Sequence, residues 1–147
     1  MPIIYSTSHD GIDWPALKAA LAADSFDNGR TALQMERSFR ASFRCVYAFD
    51  ATEVVGTARA LSDGVCNAYI IDMWTHSKHR RRGIGRRMMD TLCESLAGQH
   101  IYLFTDDQEA FYAACGFAPR GVGLEKIVGR WLQNDSNEPL RRNDNLK

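Results

Sequence analysis

His76-Ser77-Lys78-His79-Arg80-Arg81-Arg82-Gly83-Ile84-Gly85 joins two segments of different hydrophobic period. Before it, Asn67 to Thr75 carries Tyr69, Ile70, Ile71, Met73 and Trp74, an aromatic and β-branched run suited to a central strand buried on both faces. After it, Ile84, Met88, Leu92 and Leu96 recur at helical spacing, with Met89 and Cys93 beside them and Gly98 as the stop. A strand that runs through a basic, glycine-bearing turn into an amphipathic helix predicts a phosphate site. The first N–H groups of a helix lack intrahelical partners and lie at the positive end of its dipole. Glycines at 83 and 85 let a ligand approach the backbone where a Cβ would intrude, and the arginines add charge and bidentate geometry.

Upstream, Ile3-Ile4-Tyr5 reads as a short strand. A helix follows, with Asp13 as N-cap, Pro15 in its first turn and Leu17, Ala20 and Leu21 on its apolar side. Asn28-Gly29 breaks it from a second helix, Thr31 to Ser42, in which Leu33, Met35, Arg37 and Phe39 give a mixed face. Arg44 to Phe49 and Glu53 to Ala60 form an antiparallel hairpin, and Ser62-Asp63-Gly64 makes the next turn. Downstream, His100 to Phe104 is a strand, Asp107 to Cys115 a short helix ended by Gly116, and Leu124 to Trp131 a final strand. The order β-α-α-β-β-β-α-β-α-β predicts an α/β domain, a mixed sheet with helices on both faces.

A chain of 147 residues suits one domain, expected over 1–133, with a polar and poorly ordered tail over 134–147. Its 45% hydrophobic and 24% charged residues argue against a disordered, collagen-like or membrane-embedded chain. Eighteen basic residues balance 18 acidic ones, so any anion site is local, and the global charge draws the chain to neither nucleic acid nor anionic lipid. Cys45, Cys66, Cys93 and Cys115 form no C-x-x-C pair, and the N-terminus lacks a basic flank with a long apolar run. The expectation is a cytoplasmic protein with reduced thiols and no metal. No apolar run approaches the roughly 18 residues of a spanning helix.

Two nucleotide motifs fail at the turn. A phosphate-binding Walker loop would end in Gly-Lys-Ser/Thr, where Gly85-Arg86-Arg87 stands, and a dinucleotide fingerprint would place a third glycine where Met88 stands. The segment instead resembles the signature Gln/Arg-x-x-Gly-x-Gly/Ala of the GNAT superfamily of N-acetyltransferases, with Arg80, Gly83 and Gly85 on its fixed positions. About thirty residues on, Phe111-Tyr112-Ala113-Ala114-Cys115-Gly116-Phe117 is similar to the superfamily's Phe-Tyr-x-x-x-Gly-Phe element. With the hairpin Val54 to Arg59 and the Asp63-Gly64 turn, the resemblance covers roughly residues 45 to 120. Ser77 departs from a common proline, and Cys115 from a common leucine.

The resemblance implies a mostly antiparallel central sheet flanked by helices, with acetyl-CoA as co-substrate and no metal. Acetyl transfer would go to a primary amine, a small molecule being favoured over a protein, by direct attack in a ternary complex. It implies that the backbone of Met73, Trp74 and Thr75 pairs with the pantetheine arm. The N–H groups of about Arg81, Arg82, Gly83, Ile84, Gly85 and Arg86, next to Arg80, hold the pyrophosphate. Tyr112 matches the tyrosine that gives a proton to the departing thiolate, which a phenol of pKa about 10 can do for a thiol of pKa about 8.5. Asp72 is a candidate base beside the thioester, with an ordered water as its rival. His76 and His79 read as turn residues, Cys115 as a packing residue, and Arg59 as either sheet surface or acceptor site. The partners are then acetyl-CoA and an amine, without nucleic acid or membrane, and a homodimer is compatible with this. Two other readings stay open: a coenzyme A-binding sensor without turnover, and a nucleic-acid binder using the basic turn.

Overall fold

The computed structural model describes residues 2–133. The elements are β1 (Ile3–Ser6), α1 (Trp14–Ala23), α2 (Ala32–Arg40), β2 (Arg44–Asp50), β3 (Glu53–Ser62), β4 (Asn67–Thr75), a 3₁₀ turn (Ser77–His79), α3 (Ile84–Glu94), β5 (His100–Tyr102) and α4 (Glu109–Ala114). The sheet runs β1-β2-β3-β4-β5, antiparallel throughout except for the parallel β4–β5 pair. Of the described helices, none is long and apolar enough to cross a membrane.

Local chemistry sets most boundaries. Asp13 accepts from the Ala16 N–H at 3.0 Å, with Pro15 in the first turn of α1. Thr31 and Gln34 cap α2 reciprocally: the Thr31 hydroxyl accepts from the Gln34 N–H at 3.1 Å, and the Gln34 side chain from the Thr31 N–H at 2.8 Å. The Asp63 carboxylate collects the N–H groups of Val65, Cys66 and Asn67, closing the β3–β4 hairpin.

The sheet is covered on both faces. On one, α3 lays Met88, Met89 and Leu92 over the alanines Ala48, Ala58 and Ala60, whose small side chains let the helix lie close. On the other, α1 and α2 bury Trp14, Leu17, Leu21, Met35 and Phe39 against Tyr47 and Trp74. The face of α2 is less mixed than its sequence suggests. Met35 and Phe39, one helical turn apart, are fully buried, whereas Leu33 is 41% exposed.

Four expectations are corrected. The middle strand is β3, and β4 is only half-buried at Tyr69, Ile71, Asp72 and Met73. The reason is that β5 pairs with Asn67 to Tyr69 alone and then diverges, so the edge of β4 from residue 70 to 75 is open on that side. Leu124 to Trp131 forms no strand: Leu124 and Val128 are 89% and 85% exposed, and the Trp131 indole N–H bonds to the Asn28 carbonyl at 2.8 Å. Gly129 and Leu132 take left-handed φ values of +70° and +57°, which interrupt an extended course. β5 stops at Tyr102 rather than Phe104, and α4 starts at Glu109 rather than Asp107. The predicted tail over 134–147 lies outside the described residues.

Candidate active site

α1 and α2 carry side-chain caps; α3 does not. It opens at Gly83, φ +77°, with no side-chain hydrogen bond at its N-cap and no acidic residue in its first turn. The Arg87 N–H bonds to the Gly83 carbonyl at 3.0 Å, so the earlier N–H groups of the helix have no acceptor within it. Arg80, Arg81 and Arg82 stand exposed around that end, Arg81 itself left-handed at φ +62°. An anion is what such a terminus lacks.

The two glycines act differently. A Cβ on Gly83 would meet nothing within 4 Å, so the space outside it is open, and its dihedral is the constraint. A Cβ on Gly85 would come within 3.1 Å of the Phe111 ring, so Gly85 is what lets α4 close on α3. Arg86 strengthens that joint by donating to the Ala114 carbonyl at 2.9 Å. Its side chain is therefore occupied at α4, and only its backbone belongs to the helix start. Arg87 leaves the turn and lies over the Tyr5 ring.

Along β4 the strand alternation breaks. Ile71 pairs with Arg59 and Trp74 with Thr57, so Ala58 faces both Asp72 and Met73 in a bulge, with Asp72 at φ +54°. Met73 turns to the α3 side, while Asp72 and Trp74 both turn to the α1–α2 side. Beyond the bulge, the open edge of β4, the loop after α1 and the β5–α4 loop enclose a cleft of ≈ 460 Å³ bordered by Tyr69 and Tyr112. Among the described residues its charged lining is entirely carboxylate: Asp27, Asp72, Asp106 and Asp107.

Asp72 is the most heavily paired of the four. Arg30 grips it bidentately at 2.9 and 2.8 Å, and Arg59 donates to it at 2.5 Å. Both guanidiniums lie over the Phe39 ring, at 5.6 and 5.5 Å from its centroid, and are 5% and 8% exposed. Burial alone would push the Asp72 carboxyl up, but the bonds and charges of Arg30 and Arg59 outweigh it and hold the group below its ordinary value. No local pattern marks Arg30 in the sequence, because it lies 42 residues from its partner, just after an Asn-Gly break. Arg59 is neither on the sheet surface nor in the cleft wall; it is buried beneath α2.

Tyr112 stands on α4, half-buried between Phe111 and Phe117, and faces the cleft. Burial, with a smaller contribution from Cys115, raises its phenol above the ordinary value. The Cys115 thiol is raised by burial as well, which opposes thiolate formation. His76 accepts from the Lys78 N–H at 3.1 Å, and His79 bonds to Asp50 at 3.0 Å, so both brace the turn. No group of metal-binding side chains occurs among the described residues.

The model of the Acetyltransferase (GNAT) family matches residues 13–117, from the N-cap of α1 through Phe117. No curated protein matches the sequence. A protein of Xanthomonas campestris pv. campestris assigned to the GNAT family is 26% identical with a TM-score of 0.75, over 87% of this chain and 94% of that one. A GNAT family acetyltransferase of Streptococcus pneumoniae TIGR4 is 21% identical with a TM-score of 0.73, over 88% and 100%. Glucosamine-6-phosphate N-acetyltransferase from Arabidopsis thaliana is 13% identical with a TM-score of 0.71, over 86% and 99%. At their identities the last two show a shared fold alone. The family match, which takes in the glycine turn, the bulged strand and α4, shows that this chain belongs to the GNAT acetyltransferase family.

Proposed function

We propose that the protein acetylates a primary amine of a small molecule, with acetyl-CoA as acyl donor, by direct attack in a ternary complex. One arrangement carries this reading: the uncapped α3 terminus and the open edge of β4 converge on α4, which packs Phe111 on Gly85 and turns Tyr112 to the cleft. N–H groups from about Arg81 to Arg86 would take the pyrophosphate, flanked by the charge of Arg80, Arg81 and Arg82. The backbone edge at Met73, Trp74 and Thr75 would take the pantetheine amides as an added strand.

The acceptor enters as an ammonium, favoured by Asp106 and Asp107 in the cleft wall, since Asp27 is already paired with Lys18 and Asp72 with two guanidiniums. A volume of ≈ 460 Å³ fits a small molecule. A water in the cleft removes the ammonium proton; we assign Asp72 an anchoring role, since two guanidiniums already hold its carboxylate and lower its basicity. The amine nitrogen then bonds to the thioester carbon and gives up a second proton to water; the carbonyl re-forms as the carbon–sulfur bond breaks, and the departing sulfur takes the Tyr112 proton, which solvent restores.

Acetyl-CoA is expected to raise the melting temperature, since a ligand selective for the folded state adds about 2.7 kcal/mol at a hundredfold excess over its Kd. Thiol release across a panel of amines then decides turnover. Diamines should outperform amines bearing a carboxylate. No melting shift at millimolar acetyl-CoA sinks the assignment, and a shift without thiol release leaves a coenzyme A-binding sensor. Gly83→Val should weaken acetyl-CoA binding by at least roughly tenfold, because a β-branched side chain at φ +77° distorts the helix start and fills the space a phosphate would use. Calorimetric titration of the folded variant checks it; unchanged affinity would put the phosphates elsewhere.

A further inference from the structure

Asp24 closes α1 as its C-cap, and its side chain is only 8% exposed. Yet its carboxylate serves residues 50 and more positions away. One oxygen accepts from the Trp74 indole N–H at 2.9 Å and the Ser77 backbone N–H at 3.0 Å; the other accepts from the Ser77 hydroxyl at 2.5 Å. The Arg80 guanidinium approaches to 4.0 Å while its Nε donates to the Thr75 carbonyl. One carboxylate thus ties the end of β4, the first residue of the 3₁₀ turn and the first arginine of the glycine turn. Two residues after Asp24 the chain becomes the cleft wall at Phe26 and Asp27.

From these contacts we infer that Asp24 is a positioning residue, fixing the phosphate-binding turn relative to the β4 edge so that both can engage one coenzyme molecule. The inference rests on the coenzyme reading above. Two of the bonds need Ser77 as it is. Its N–H and O–H both end on Asp24, and a proline there would remove both donors while keeping a turn-compatible φ. His76 precedes it at φ −50°, ψ 134°, a conformation a following proline accepts. The turn is therefore held by a carboxylate from another element rather than by local ring stiffness. Burial opposes the charge on Asp24, but the Ser77 and Trp74 bonds hold its carboxyl below the ordinary value, so the latch stays ionised through the neutral range.

Asp24→Asn puts an N–H₂ donor against groups that are themselves donors, and Ser77→Pro removes two of the bonds from the other side. Both are expected to raise the Kd of acetyl-CoA about tenfold, with kcat at saturation of both substrates within about threefold, because the phosphate contacts are made alike in ground and transition states and their loss costs binding rather than chemistry. Ser77→Thr keeps both donors and should keep wild-type affinity. The double variant Asp24→Asn/Ser77→Pro should be no worse than the poorer single one, since both break the same bonds. Unfolding midpoints without ligand separate loss of fold from loss of placement. If Asp24→Asn fails to fold, Ser77→Pro against Ser77→Thr makes the same test. Folded variants with wild-type acetyl-CoA affinity, or additive losses in the double variant, overturn the latch while leaving the acetyltransferase reading intact. A wild type that does not bind acetyl-CoA overturns that reading itself.

Discussion

Tyr112→Phe is expected to lower kcat by roughly 10²-fold, about 2.7 kcal/mol, the lower end of the range for a positioned general acid. The substitution removes one oxygen and almost no volume. Its ring neighbours Phe111 and Phe117 keep their packing, so folding and acetyl-CoA affinity should stay within about twofold of wild type. The loss belongs to the step in which the thiolate leaves, and it is visible only if that step limits turnover. Saturating acetyl-CoA and a slow acceptor, read in single turnover, meet that condition. Because burial raises the phenol above its ordinary value, Tyr112 stays protonated through the neutral and mildly basic range. The wild-type rate should then show no basic limb from this group below pH about 10. Single-turnover rates equal to wild type in Tyr112→Phe would reduce the residue to packing and leave the proton to water.

The parts of this site that were readable in the sequence depend on neighbours within a few residues. Asp13 caps its helix through a bond to a residue three positions away, and Asp63 closes its turn within four. The glycine turn is legible in the same way, because strand, basic loop and helical stripe follow one another along the chain, although the Asp24 contacts that hold the turn do not show there. What stayed hidden is held across the fold. Nothing in Tyr69-Ile70-Ile71-Asp72-Met73 marks a bulge, because the two-for-one pairing is decided by β3. The grip of Arg30 spans 42 residues and that of Asp24 on Ser77 spans 53, distances at which no local pattern applies. The segment after Gly123 failed in the opposite sense. Ile127 and Val128 have strand propensity, but the left-handed turns at Gly129 and Leu132 prevail.

Asp72→Ala is expected to cost about 3–5 kcal/mol of folding stability, the effect of removing one partner from a buried ion pair. It should lower Tm by roughly 10–20 °C for a domain of this size. The charge count makes the cost lopsided. Arg30 and Arg59 carry two positive charges to the single carboxylate, both over Phe39, so losing Asp72 leaves two uncompensated guanidiniums side by side. Losing Arg30 instead leaves a balanced pair, and Arg30→Met should therefore be milder than Asp72→Ala. Asp72→Asn isolates charge from backbone, since asparagine tolerates φ +54° where alanine does not. The folded carboxyl lies below its ordinary value of 3.8, so its contribution is complete above that pH and is lost as the pH falls through the lower folded value. Urea unfolding of wild type and Asp72→Asn should accordingly show a stability gap that is constant from pH 7 to about 5 and closes below about 4. Folded Asp72→Asn should retain kcat within about tenfold at pH 8, since its carboxylate anchors the bulge and the proton goes to water. A folded variant of unchanged stability whose kcat collapses would reverse the assignment and make Asp72 the base.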